Sequence, residues 1–76
     1  MEVFPGVSMY PDVRFGKPCP SGTRIDVATV VGALAAGESE DTVAKEYSLT
    51  HARIRAALAY AAHVAAHLPL AVRQAS

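Results

Sequence analysis

The stretch EDTVAKEYSLTHARIRAA, residues 40–57, has the organisation of two helices joined by a tight turn. About eight residues with helical periodicity come first, a turn of about three follows, and a second helical pattern then begins. These lengths are typical of a helix-turn-helix, in which two helices cross at close range. Ala44 stands where the helices would cross, and a larger side chain there would push them apart. The stretch therefore predicts a helix-turn-helix.

The side chains of this stretch divide into an inner set and an outer set. Helical spacing turns the following apolar residues inward: Val43, Tyr47, Leu49, Ile54 and Ala57. Ser48 departs from the usual pattern, because Gly is the commonest residue in such a turn. Gly tolerates a positive φ better than Ser does, although some turn geometries do not require one.

Helix-start and helix-stop residues predict three helices within residues 26–68. Gly37 favours the end of the first helix and Pro69 the end of the third, so that residues 69–76 would form a frayed tail. The predicted N-cap residues are Asp26, Ser39 and Thr50. Along the third helix, apolar residues at three- and four-residue spacing predict a core-facing stripe: Ile54, Ala57, Leu58, Ala61, Val64, Ala65 and Leu68.

Residues 1–25 are predicted to form β structure. They contain four of the five prolines, a density that excludes a helix. Apolar and polar residues alternate in residues 7–10 and 12–15, as in half-buried strands. This pattern predicts a short, irregular β-hairpin or ribbon with turns at Gly16 and Gly22. The whole chain is then one compact domain of the mainly α class.

Size and charge exclude several classes of function. With 76 residues, no Trp and fifteen Ala, the chain buries little apolar area per residue, so a large catalytic pocket is excluded and self-association is expected. The net charge is zero, but it is unevenly distributed. Residues 38–50 carry four acidic side chains against one basic, whereas residues 51–76 carry three arginines and no acidic side chain. The second half of the chain is therefore suited to an anionic partner.

A cytoplasmic protein without a cofactor is expected. Cys19 is the only cysteine and cannot form an intramolecular disulfide, which fits a reducing compartment. The N-terminal residues lack the pattern of a signal peptide, and no apolar run is long enough for a membrane span. His63 and His67 are four residues apart, but a closed zinc site needs four ligands, so surface or interface histidines are the preferred interpretation. No nucleophile–base grouping or cofactor fingerprint is present, and we expect no enzymatic activity.

The outward residues at the start of the third helix predict DNA contacts. Thr50 and the unpaired N–H groups of the first turn suit a phosphate, and an arginine suits a guanine edge. The candidate DNA-binding residues are Thr50, His51, Arg53 and Arg55. The alternative is that these are ordinary solvated side chains. Because zero net charge disfavours a monomeric DNA binder, the prediction requires a dimer with the acidic second helix pointing away from the duplex.

A second face of the third helix is rich in small residues. The candidate interface with a second copy or another protein consists of Ala52, Ala56, Ala59, Tyr60, Ala62, His63 and Ala66. Small side chains let another helix approach closely. The alternative is that alanine is there only as the best helix former.

Four blocks of sequence resemble one known family. They are GKPCPSGTRIDV at 16–27, LAAGES at 34–39, EYSLT at 46–50 and AALAYAA at 56–62. In this order and spacing they are similar to the bacterial domain of unknown function 433 family, the VapB45-like antitoxins. In this chain Asp26 stands where the family often has Pro, and Cys19-Pro20 replaces a usually aliphatic pair.

The resemblance implies a homeodomain-like helix-turn-helix behind a β-hairpin, in a homodimer. For some members it implies an antitoxin that represses its own promoter and blocks a PIN-like ribonuclease toxin. Gly16, Gly22, Thr23 and Arg24 would be a structural signature, with Arg24 joining the hairpin to a helix end. The expected function is therefore a DNA-binding type II antitoxin. The alternative is a protein-interaction module that does not contact DNA.

Overall fold

A computed structural model describes residues 1–67, which form three helices and a small antiparallel sheet. The strands are β1 (Glu2–Phe4), β2 (Val7–Ser8) and β3 (Cys19–Pro20), in the order β1-β2-β3. The helices are α1 (Val27–Ala35), α2 (Glu40–Tyr47) and α3 (His51–Ala66). The predicted mainly α class is confirmed. Leu68 and the predicted tail at 69–76 lie outside the described residues.

Each helix begins with the N-cap that the sequence predicts. The side chain of Asp26 accepts a hydrogen bond from the backbone N–H of Thr29 at 2.8 Å. Ser39 and Thr50 accept the corresponding bonds at the starts of α2 and α3, each at 3.1 Å. Each such cap contributes about 1 kcal/mol to helix stability. Local capping chemistry therefore fixes where all three helices start.

The connection between α2 and α3 is three residues long and requires a left-handed residue. Ser48 has φ 55° and ψ 45°, and the backbone N–H groups of Ser48 and Leu49 both donate to the carbonyl of Ala44. Leu49 is buried beneath the turn. Ser48 thus occupies the conformation that Gly would adopt with less strain.

Replacing Ser48 with Gly is expected to raise the free energy of unfolding by about 0.5–1 kcal/mol. A left-handed backbone costs a residue with a Cβ roughly 1–2 kcal/mol, and the greater chain entropy of Gly cancels part of the gain. The Ser48 side chain is exposed, so little packing is lost. Urea unfolding of S48G measures the effect. The control S48A keeps the strained backbone and should stay within about 0.5 kcal/mol of the wild type. A lower stability of S48G would contradict the prediction.

The core joins all three helices to the second strand. It consists of Val7, Val27, Val30, Val43, Leu49, Ile54 and Ala57. Ala44 and Tyr47 are partly buried against it. The inward positions predicted for residues 40–57 are therefore confirmed, four of them as fully buried residues and Tyr47 at the margin.

The predicted core-facing stripe of α3 is wrong in its second half. Leu58 and Val64 are 38% and 44% exposed, and Ala65 is exposed as well. The reason is length: α1 has 9 residues and α3 has 16, so α3 extends beyond the helices packed against its first turns. Of the predicted stripe beyond Leu58, Ala61 is partly buried against the core.

The N-terminal region is a three-stranded sheet with different strands from those expected. The segment 12–15 is not a strand, because Arg14–Gly16 form a 3₁₀ turn in which Arg14 and Phe15 have positive φ. Only Val7–Ser8 of the predicted strand at 7–10 is extended. β1 was missed because a three-residue strand has too little alternation to recognise. Both predicted turn glycines have positive φ, 81° at Gly16 and 82° at Gly22.

Candidate nucleic-acid interface

His51 begins α3 and lies between two carboxylates of α2. Its Nδ1 is 3.1 Å from an oxygen of Glu40, and its Nε2 is 3.0 Å from an oxygen of Asp41. The angle at which α2 and α3 cross produces this arrangement, because it brings the first turn of α2 beside the first turn of α3.

Arg55 follows His51 by one turn and shares the same acidic neighbour. Its Nε lies 3.6 Å from Glu40 Oε1, while the side chain remains 75% exposed. The expectation that the acidic part of α2 points away from the basic face of α3 is therefore wrong. Acidic and basic residues meet at one surface, which we call the α2–α3 ion-pair cluster: Glu40, Asp41, His51 and Arg55.

Arg53 is separated from that cluster. Arg53 is partly buried, and its guanidinium lies beside the turn at Gly22. A Cβ built on Gly22 would lie 3.2 Å from Arg53 Nη2. Thr50 is exposed and uses its side-chain oxygen to cap the helix. The structure thus brings His51 and Arg55 together at one face, whereas Arg53 lies along the turn at Gly22.

Three residues predicted to face a partner instead contact the chain's own hairpin. A Cβ added at Gly6 would lie 2.8 Å from the Cβ of Ala56. The ring of Phe4 packs edge-on against Tyr60, with centroids 5.5 Å apart, and lies 5.1 Å from the ring of His63. The other candidate interface residues are exposed: Ala52, Ala59, Ala62 and Ala66. Helical spacing identified small residues but could not reveal that the N-terminal strands cover part of them.

The signature residues form the turn that leads into α1. The hydroxyl of Thr23 donates to the carbonyl of Pro20 at 2.8 Å and so closes the turn around Gly22. Arg24 is exposed, and within residues 1–67 its side chain makes no hydrogen bond or ion pair. The predicted link between hairpin and helix is made by a different residue. Arg14, which the sequence analysis did not single out, reaches the carboxylate of Asp26 at 3.4 Å.

Asp26 connects this link to the start of α1. The carboxylate is buried, caps the helix and pairs with Arg14. Hydrogen bonding from Thr29 lowers the pKa of Asp26 and the Arg14 guanidinium lowers it further, against the increase caused by burial. Asp26 is therefore held in its anionic, capping form.

The histidines at the end of α3 and the single cysteine have local roles. The rings of His63 and His67 are 4.2 Å apart, and His67 Nδ1 is 2.7 Å from the carbonyl oxygen of His63. In the part of the chain that the structure describes, no three His, Cys, Asp or Glu side chains come together as metal ligands. Cys19 is buried, and burial raises the pKa of its thiol, which disfavours the nucleophilic thiolate.

An open apolar groove runs between α1 and the second half of α3. Its volume is about 580 Å³, and its walls include Val27, Val31, Ala61, Val64 and Ala65. Val64 and Ala65, which the sequence assigned to the core but which are exposed in the structure, therefore line a surface groove. None of the helices within residues 1–67 is both long enough and apolar enough to cross a bilayer.

The described residues thus form a mainly α protein whose third helix exposes cations at its N-terminal end. A sequence profile of the family described as "Protein of unknown function (DUF433)" matches residues 7–61. This chain belongs to the DUF433 family. The match begins at β2 and extends into the second half of α3, so it includes the connection between α2 and α3.

One solved structure supports this fold. The crystal structure of Rv2018 from Mycobacterium tuberculosis is similar to the chain, with 36% sequence identity and a TM-score of 0.62. The similarity covers 68% of this chain but 24% of Rv2018, so the chain spans about a quarter of that protein's length. No curated protein is significantly similar to the chain.

Proposed function

We propose that this protein is a small homodimeric DNA-binding protein in which α2 and α3 act as a homeodomain-like helix-turn-helix. In this proposal α3 is the recognition helix, and the protein acts in the bacterial cytoplasm by binding rather than by catalysis. The observation that carries the proposal is the exposed, Thr50-capped N-terminal end of α3, with His51 and Arg55 on one face.

The chemistry of this helix end supports DNA as the ligand. The first turn of a helix offers backbone N–H groups and a partial positive charge, both of which attract phosphate. Arg55 is 75% exposed and can form the paired hydrogen bonds that recognise guanine. In this proposal Thr50 and His51 would contact phosphates. Arg53, beside the turn at Gly22, would contact the DNA backbone at the rim of the site.

The dimer is proposed on grounds of charge and surface. One chain has zero net charge and exposes only a few basic side chains near the start of α3. A single chain would therefore bind DNA weakly. Two copies would present two such helix ends to successive turns of the duplex. The exposed small residues of α3, Ala59, Ala62 and Ala66, would allow close approach of a second copy.

The biological role that fits these properties is that of a VapB45-like type II antitoxin. We propose that the protein represses its own promoter and neutralises a PIN-like ribonuclease toxin. The rival function is a protein-interaction module without DNA binding. The groove between α1 and α3 favours the interaction module, because an open apolar groove of about 580 Å³ on so small a chain is suited to a partner helix.

The test is a titration of the protein against DNA from its own upstream region and against a scrambled duplex, at two salt concentrations. Arg55→Ala should weaken binding to the upstream duplex by about 10- to 100-fold, because a bidentate contact to guanine contributes 1–3 kcal/mol. Arg24→Ala removes the same charge from an exposed site that forms no ion pair within residues 1–67, and should change the affinity by no more than about threefold.

The two variants distinguish the possible outcomes. Equal losses for R55A and R24A would mean that the assignment of α3 as the recognition helix is wrong. Negligible binding of the wild-type protein to both duplexes would reject the DNA-binding proposal and favour the interaction module.

A further inference from the structure

We infer that Glu40 and Asp41 compete with DNA phosphate for the basic side chains of His51 and Arg55. This competition within the α2–α3 ion-pair cluster lowers the affinity of the site for DNA. This inference rests on the proposed function, because it concerns the regulation of the same helix end. It assigns to α2 a role in tuning DNA affinity, separate from its role in packing.

Two carboxylates surround the two basic side chains, and Glu40 contacts both of them. Glu40 Oε1 lies 3.1 Å from His51 Nδ1 and 3.6 Å from Arg55 Nε, and Asp41 Oδ1 lies 3.0 Å from His51 Nε2. Both ring nitrogens of His51 are therefore occupied. A DNA phosphate approaching this surface would meet the carboxylates of Glu40 and Asp41 beside the two basic side chains.

The ion pairs of the cluster contribute little to folding stability, although Glu40 is only 32% exposed and both acidic residues suit the N-terminal dipole of α2. The side chains are 53% exposed at His51, 75% at Arg55 and 89% at Asp41, and ion pairs this exposed contribute little to stability. They can exchange partners readily, because water replaces any contact that is released. What the carboxylates do change is the local field, since each lies within about one Debye length of any phosphate bound at His51 or Arg55.

The location of the cluster makes the competition direct. The acidic residues lie in the first turn of α2, which packs beside the first turn of α3. The backbone therefore keeps both carboxylates near His51 and Arg55 even when individual side-chain contacts exchange with water. A phosphate must displace them from His51 and Arg55 or bind beside them against their repulsion.

The experiment compares two double variants with the same change in net charge. E40Q/D41N removes the carboxylates of the cluster. E38Q/E46Q removes one carboxylate just before α2 and one in its last turn, neither of which makes an ion pair with His51 or Arg55. Each protein is titrated against the upstream duplex over a series of salt concentrations, and circular dichroism confirms that each is folded.

E40Q/D41N is expected to bind the upstream duplex about tenfold more tightly than the wild type, and E38Q/E46Q no more than about threefold more tightly. The plot of log affinity against log salt should become steeper for E40Q/D41N by about one to two, because cations freed from Glu40 and Asp41 neutralise additional phosphates. The Nε–Hε resonance of Arg55 should shift in DNA-free E40Q/D41N and stay in place in E38Q/E46Q.

The other outcomes distinguish a failure of this inference from a failure of the DNA-binding proposal. If the wild type binds DNA and R55A weakens it, but E40Q/D41N gains no more than E38Q/E46Q, the inference is overturned and the DNA-binding proposal stands. Weaker binding by E40Q/D41N also overturns it, since the carboxylates would then position the cations for DNA. If neither the wild type nor E40Q/D41N binds either duplex, both the inference and the proposed function are rejected.

Discussion

Replacing Gly6 with Ala is expected to lower the free energy of unfolding by about 2–4 kcal/mol, a large effect for one added methyl group. Two costs combine. Gly6 has φ 80°, a conformation that costs a residue with a Cβ roughly 1–2 kcal/mol. In addition, the new Cβ would lie 2.8 Å from the Cβ of Ala56, and overpacking of this kind costs about 1–3 kcal/mol. Because Ala56 is fixed on a helix, the hairpin must move.

Gly16 provides the matched control for this prediction. Its φ is 81°, so Gly16→Ala introduces the same backbone strain, but nothing lies within 4 Å of the added Cβ. The difference between the two variants in urea unfolding therefore isolates the contact between hairpin and α3. Ala56→Gly should relieve the clash in the G6A background, giving a coupling free energy of about 0.5–3 kcal/mol in a double-mutant cycle. Equal losses for G6A and G16A would show that the hairpin does not pack on Ala56.

Replacing Ile54 with Ala is expected to cost about 2–5 kcal/mol. Ile54 is fully buried where α3 meets the other helices, so the substitution removes apolar contacts and leaves a cavity. A chain of 76 residues has a total stability of roughly 4–11 kcal/mol, so I54A removes a large fraction of it. Thermal and urea unfolding followed by circular dichroism measure the loss.

Leu58→Ala is the control on the same helix. Leu58 lies one turn after Ile54 but is 38% exposed, and its truncation should cost less than about 1.5 kcal/mol. A loss for L58A as large as that for I54A would mean that the second half of α3 is covered in solution. Repeating the comparison over a range of protein concentrations would then show whether a second copy provides the cover.

The features that the sequence predicted are those determined by neighbouring residues. Asp26, Ser39 and Thr50 each cap the next helix through a bond to a residue three positions later, so their role is visible in a few letters. The same holds for the turn before α3, whose length is set by Ser48, Leu49 and Thr50. Burial of Val43 and Ile54 follows from helical periodicity.

The features that the sequence could not predict depend on contacts between distant residues. Nothing near Phe4 indicates that its ring lies against Tyr60, and nothing near Arg14 indicates its pairing with Asp26. The left-handed turn at Phe15 is also hidden, because alternating residues in 12–15 suggest a strand.

The candidate site shows the same limit. Helical spacing identified Thr50, His51, Arg53 and Arg55 as outward residues of one helix. Their electrostatic environment comes from α2, and the approach of Glu40 and Asp41 to His51 depends on the angle at which the two helices meet. Spacing along one helix carries no information about that angle.

The packing of Phe4 against Tyr60 and His63 also has a consequence for the order of events during protein synthesis. The first strand leaves the ribosome before α3 does, because the residues that pack on Phe4 lie more than fifty positions further along the chain. Contacts between such distant positions form slowly, because bringing together the two ends of a long chain segment costs conformational entropy. Phe4 therefore lacks its two aromatic partners until most of α3 has been translated, whereas Val7 of the same hairpin has its core partners Val27 and Val30 much earlier.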